Sequence, residues 1–295
     1  MKGRLFRQEA LWAYLFITPF LGGLGVFYIY AFIDNFYTGF TNRKFFGQGN
    51  FIGFANYARL MSDGLFSISL LNTLKYVIIC VPAVIILSII IATLLNTGLK
   101  ASGLYRTMLF IPAVTMPAAI ALVWRWILNY EFGLVNAGLK ALGSAPVAWL
   151  SDPRFSIFSV SLVLVWAAIS THMVIFLAGL QNIPTVFYEA AKIDGAGTFS
   201  RFFRITLPLL SPTIFFCLTM ETIGVFQIFD LIYLMIPRGS SGMPAARSII
   251  WLFYDEAFYK SNKGYASAIT IVLFLIILLV TVFQMLGRRR WVYEE

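Results

Sequence analysis

Residues 188–212 read YEAAKIDGAGTFSRFFRITLPLLSP, and this stretch decides the fold. It lies between two long apolar segments and is too polar for a bilayer core, yet it is more ordered than a linker. Glu189, Ala190, Ala191 and Lys192 favour helix, with Glu189 and Lys192 one turn apart. Asp194-Gly195-Ala196-Gly197 then breaks that helix, because its glycines are free to take left-handed backbone angles. Thr198 or Ser200 is placed to cap a second helix, which carries Phe202, Phe203, Ile205 and Leu207 into the next apolar segment. Ala190 and Ala191 give a surface of little bulk, open to close approach by another protein. The expectation is a helix–turn–helix knuckle outside the membrane, rigidly joined to a membrane helix and suited to transmitting force.

Composition sets the frame around the knuckle. Of 295 residues, 60% are hydrophobic and 12% charged, against about 25% charged in a soluble domain. The apolar residues gather in runs long enough to span a bilayer, at about 20 residues per helix. The net charge of +9 is scattered over the loops between these runs, where basic residues hold loops at lipid headgroups, and so does not point to nucleic acid. Cys80 and Cys217 sit inside apolar runs and read as small buried hydrophobes, and a chain with one histidine is a poor candidate for a metal site. The first apolar run is too long for a cleaved signal core and is expected to stay as a span.

An all-α polytopic membrane protein with six spans follows, at about 10–33, 70–95, 106–129, 156–180, 207–236 and 265–286, with the knuckle at 188–212. A basic segment with Lys2, Arg4 and Arg7 precedes the first span, in which Gly22, Gly23 and Gly25 allow close helix contact. An aromatic outer loop, with Phe45, Phe46, Phe51, Phe54 and Tyr57, fills 34–69. Pro82 is expected to kink the second span, and Pro112 with Pro117 to bend the third. A tight basic turn with Lys100 and Arg106 joins those two, and Arg288-Arg289-Arg290 ends the sixth. Six spans put both termini on the side of the knuckle. That side has the shorter loops and the higher basic density, so it is expected to be cytoplasmic.

The central stretch resembles the EAA loop of the membrane subunits of ABC importers: Glu189-Ala190-Ala191, three residues to a glycine, then Ile205-x-Leu207-Pro208, with Asp194, Ala196 and Pro212 also fitting. Shorter matches extend the likeness over nearly the whole chain toward the carbohydrate-uptake branch, the maltose- and glycerol-3-phosphate-type permeases. They include Asn72-Thr73, Tyr105-Arg106-Thr107, Trp124-Arg125-Trp126, Gly133-Leu134-Val135-Asn136 and Gly264-Tyr265-Ala266-Ser267-Ala268. The likeness breaks at Gly239-Ser240-Ser241-Gly242-Met243-Pro244, so no contact with an external protein is carried over to that loop.

The resemblance implies a non-catalytic permease subunit in a prokaryotic plasma membrane. It implies as partners a second homologous permease subunit, two ATP-binding subunits that use ATP and magnesium, and an external solute-binding protein. This chain has no GxxxxGK[ST] loop of its own and is expected to bind no cofactor. Glu189, Ala190, Ala191, Asp194, Gly195, Ala196, Phe202 and Pro208 are the implied coupling residues. Glu189 either pairs with a basic residue of the ATPase or makes only a local contact with Lys192. Polar residues inside spans are costly and nominate a substrate pathway: Trp124, Arg125, Asn129, Glu221, Gln227 and Asp230, with His172 nearby. The other reading of these residues is interhelical bonding, for example Arg125 with an acid. A sugar or oligosaccharide is the expected cargo, with glycerol-3-phosphate or another polyol ester as the alternative. An ion-driven secondary transporter and a membrane-embedded enzyme built around Ser170, Thr171 and His172 are the rival classes.

Overall fold

Met116 precedes Pro117, and that dipeptide breaks the third apolar segment. Crowding by a proline ring pushes the preceding residue out of the helical region, and Met116 sits at φ −58°, ψ 134°. The helix Ser102–Val114 stops there, and Pro117–Ile127 starts with its proline in the first turn. The two axes differ by 101°. The expected bent span at 106–129 is therefore two helices. The expected span at 207–236 also divides. Thr198–Leu209 meets Ser211–Phe226 at 66°, Gln227 ends the latter at φ −99°, ψ 13°, and Asp230–Met235 forms a separate short helix.

The computed structural model describes residues 2–44, 47, 49–97, 102–289 and 291–293. Phe45, Phe46, Lys100 and Arg290, and the side chains of Lys2, Arg4 and Arg7, lie outside the described residues. The described residues are almost all helical, with one isolated β-bridge between Thr41 and Phe51. Four helices are long and apolar enough to cross a membrane: Leu11–Thr38, Gly64–Leu95, Ser156–Gln181 and Lys263–Arg288. Counting each bent pair as one span gives up to six. The first of these helices continues past the expected end at Ile33 through a π-helical turn at Gly25–Tyr30, so Asp34 is helical rather than in a loop. Gly64–Leu95 runs through Pro82 as one helix. Segments between the long helices carry short helices of their own: Ala55–Ser62, Leu134–Ala141, Met243–Ala246 and Ile249–Tyr254.

The chain divides into two units, one comprising Met1–Asp63 and Phe253–Val272. Polar contacts organise it. Asn56 Nδ2 donates to Gly39 O and Thr41 O at 2.9 and 2.8 Å. Gly264 N–H donates to Arg43 O at 2.9 Å, and a Cβ on Gly264 would stand 2.0 Å from Thr41 O, so only glycine fits. Tyr265 donates its hydroxyl to Asp63, under the Arg59 guanidinium 4.0 Å from its ring. Glu256, 1% exposed, takes Lys260 Nζ at 2.6 Å and Arg59 at 3.8 Å. Burial works against the Lys260 charge, but the bonds to Glu256 and Asp255 outweigh it and hold the ammonium above the ordinary lysine range.

The other unit comprises Gly64–Leu252 and Leu273–Glu295. Its core is the seam between Gly64–Leu95 and Ser156–Gln181, with Tyr76, Val84, Val160 and Phe176 fully buried. Asn72 and Thr73 fix one end of this seam. Asn72 Nδ2 donates to Pro244 O and Arg247 O, and Thr73 Oγ1 accepts from Ile249 N–H. At the chain's end Tyr293 N–H donates to Ser211 Oγ at 2.8 Å, and Trp291 packs edge-on against Phe215. Asn136, wholly buried, bonds Asn129 O, Tyr130 O and Val147 O through Nδ2 and receives Val147 N–H and Trp149 Nε1–H at Oδ1. Replacing Asn136 by Leu strands all of these at once. The expected loss is about 3 kcal/mol, the upper end for buried groups left unsatisfied, read as a lower midpoint of thermal unfolding in detergent. Trp149→Phe, which removes one of the five bonds, should cost far less.

Candidate functional site

The knuckle is built as a helix stop of defined geometry. Thr185–Ile193 ends at Asp194, and Gly195 follows at φ +73°. Ala196 N–H donates to Ala191 O at 2.8 Å and Gly195 N–H to Lys192 O at 3.1 Å. These two bonds are the Schellman pattern, which needs a left-handed residue where Gly195 stands. Thr198–Arg201 then starts from Gly197 as its cap, without a side-chain bond. The expected cap by Thr198 or Ser200 does not form, because Thr198 is already helical and its Oγ1 accepts from Arg201. The run continues through a π-helical turn, Phe202–Thr206, into Leu207–Leu209. Tyr188 Oη and Thr206 Oγ1, 3.0 Å apart, tie the two arms together.

The residues for which the resemblance implies a coupling role divide by exposure. Ala191 is buried, Ala196 and Phe202 are half-buried, and Phe202 packs with Tyr188 and Leu209 against the core. Glu189, Ala190, Asp194, Gly195 and Pro208 are exposed. Glu189 and Lys192 form no ion pair among the described residues. Beside them stand apolar side chains turned away from the chain's own core: Ile193 is 87% exposed, Phe199 83% and Phe203 60%.

The six pathway candidates do not converge. Glu221, Gln227 and Asp230 line one cavity of about 440 Å³, whose wall also holds Pro112, Thr115, Pro117 and Ala168. Arg125 and Asn129 line a separate cavity of about 150 Å³ with Trp149 and Pro237. Trp124 stacks edge-on against Trp166, centroids 5.5 Å apart, beside the core. Asn129 shapes a turn, its Oδ1 accepting from Glu131 and Phe132 N–H. Arg125 pairs with no acid among the described residues; its Nη1 reaches Leu234 O at 3.5 Å. His172 is the partner the sequence hid. Its Nε2 lies 3.4 Å from Glu221 Oε2 and its Nδ1 3.0 Å from Ala168 O, which engages both ring nitrogens away from the neighbouring hydroxyls. No single-chain pattern announces a contact between helices 49 positions apart.

A family model described as the binding-protein-dependent transport system inner membrane component matches residues 68–292. The chain belongs to this family. It is a multi-pass membrane component. It is 34% identical over 299 residues to the probable ABC transporter permease protein YesP of Bacillus subtilis, covering 100% of this chain and 96% of that one. With the trehalose/maltose transport system permease protein MalF of Thermococcus litoralis it shares 34% over 292 residues, 98% of each chain. Its fold matches that of a bacterial ABC transporter involved in the import of the acidic polysaccharide alginate. The TM-score is 0.85 at 21% identity, over 97% of this chain and 99% of that one.

The coupling role that the resemblance implies for the knuckle requires it to keep its shape. A β-branched residue at Gly195 cannot hold a φ of +73° without strain of order 1–3 kcal/mol. Gly195→Val is expected to leave membrane insertion intact and to abolish coupled transport, checked by parallel assays of insertion and uptake.

Proposed function

We propose that the chain is the permease subunit of an ATP-driven importer that moves a sugar or oligosaccharide delivered by an external solute-binding protein. The carrying observation is the cavity of about 440 Å³ at the breaks in two apolar segments, with Glu221 and Asp230 in its wall and no Lys or Arg. Carboxylates receive hydroxyl donors well and repel phosphate, which calls for convergent Arg or Lys. This lining favours a sugar over glycerol-3-phosphate or another polyol ester. The transport systems of relatives support the class. Beside trehalose/maltose, they include an arabinooligosaccharides permease of Bacillus subtilis, 34% identical over 95% of this chain and 90% of that one.

In this reading the subunit is non-catalytic and binds no cofactor. Two ATP-binding subunits use ATP and magnesium, and a second homologous permease completes the path. Both termini and the knuckle face the cytoplasm. The exposed cluster of Ile193, Phe199 and Phe203 seats in a groove of one ATPase subunit, and Glu189, unpaired by Lys192, meets a basic residue there. ATPase closure moves the knuckle. The bend at Leu210 passes that movement to Ser211–Phe226, which carries Glu221, and the cavity turns outward. This is alternating access through a rigid lever.

Proteoliposomes holding this chain with its partner permease and ATPase subunits should accumulate labelled sugar only with ATP inside and the solute-binding protein outside. Uptake driven by an ion gradient in this chain alone would establish the secondary-transporter reading instead. The double change Ile193→Asp and Phe199→Asp should strip the ATPase subunits from the purified complex while the permease pair stays together.

A further inference from the structure

The His172–Glu221 contact determines what the cavity presents to cargo. Nδ1 of His172 faces the carbonyl of Ala168 at 3.0 Å, and a carbonyl only accepts, so Nδ1 carries a proton. That leaves Nε2 facing Glu221 Oε2 at 3.4 Å, an ion-pair distance. Glu221 is 8% exposed, and the space it borders is the cavity. No other hydrogen-bond or ion-pair partner of Glu221 exists among the described residues, and the residue lines the cavity.

We propose that His172 is a positioning residue that fixes Glu221 as a hydrogen-bond acceptor toward the cavity, so that this wall takes hydroxyl-bearing uncharged cargo and refuses an anionic one. The proposal rests on the cavity being the translocation path. Charge is not what it requires. A glutamine at 221 would donate its amide N–H to the bare Nε2 of His172 and keep its carbonyl oxygen on the cavity side. Without the imidazole, that amide has no reason to choose either orientation, and a lone carboxyl loses its only buried partner.

The test uses the assembled four-subunit complex in proteoliposomes, with labelled maltose, lactose and arabinotriose as neutral probes and tri-galacturonate as the anionic one. Wild type should carry at least one neutral probe and not tri-galacturonate. His172→Leu and Glu221→Leu should each lower uptake roughly tenfold or more, the scale of an unpaired buried polar group. Glu221→Gln and His172→Gln should recover most of that loss, and His172→Leu with Glu221→Gln should not. Should a single leucine variant fail to assemble, the double change His172→Leu, Glu221→Leu leaves no unpaired charge and should assemble with uptake still low. A Glu221→Gln variant as poor as Glu221→Leu overturns the proposal, as does full uptake by His172→Leu or transport of tri-galacturonate by wild type. Those results leave the importer reading standing. Full uptake by Glu221→Leu, or no uptake of any neutral probe by wild type, removes the cavity or the importer reading itself, and this inference with it.

Discussion

A helix that breaks inside a bilayer frees carbonyls and amides that lipid cannot satisfy, so a break survives only where protein or a water-filled space receives them. Two breaks in this chain, at Met116 and just past Phe226, obey that constraint with single side chains. At the first, Thr115 Oγ1 bonds Ile111 O at 2.8 Å, where Pro112 and Pro117 interrupt the ladder. At the second, Ser248 Oγ donates to Ile228 O at 2.7 Å, just past the end of Ser211–Phe226. The two breaks border the same cavity. The cavity is thus a consequence of where the backbone is allowed to be irregular, and its polar wall comes with it.

The same economy joins the cavity to the knuckle. Ser211–Phe226 has Glu221 near one end and the 66° bend at the other. Beyond the bend the chain is pinned twice, by Tyr188 to Thr206 and by Tyr293 to Ser211. A lever needs a stiff arm and a fixed elbow. The π-helical turn at Phe202–Thr206 inserts an extra residue next to that elbow, a feature found more often at functional positions than elsewhere. The bond from Tyr293 N–H to Ser211 Oγ links the residues after Lys263–Arg288 to the elbow.

What the sequence reveals follows the range of the forces involved. The knuckle was legible because its determinants are local: helix formers through Lys192, then a residue that must be left-handed at Gly195. Only its cap was misplaced, since Gly197 does without a side-chain bond. Apolar run length made the helical membrane class plain. Break positions were harder. Pro82 and Pro117 look alike in sequence, yet Gly64–Leu95 continues through the first while the second starts a new helix at 101°. Which proline breaks depends on whether neighbours can receive the freed groups, and that is tertiary information. Nominating polar residues inside apolar runs mixed several roles. Asn129 shapes a turn and Trp124 fills a core, while Glu221, Gln227 and Asp230 meet in one place only because of a break invisible in hydropathy.

The His172–Glu221 pair shows why a carboxyl can persist at such a position. An isolated carboxylate taken out of water costs several kcal/mol after relaxation, and an isolated carboxylic acid is free to turn its hydroxyl toward the cavity and donate. Neither gives a wall of fixed polarity. A neighbouring imidazole, held through Nδ1 by Ala168 O, stands 3.4 Å from one carboxyl oxygen and gives the buried group a fixed polar partner. In the proposed reading that partner is what holds Glu221 toward the cavity as an acceptor.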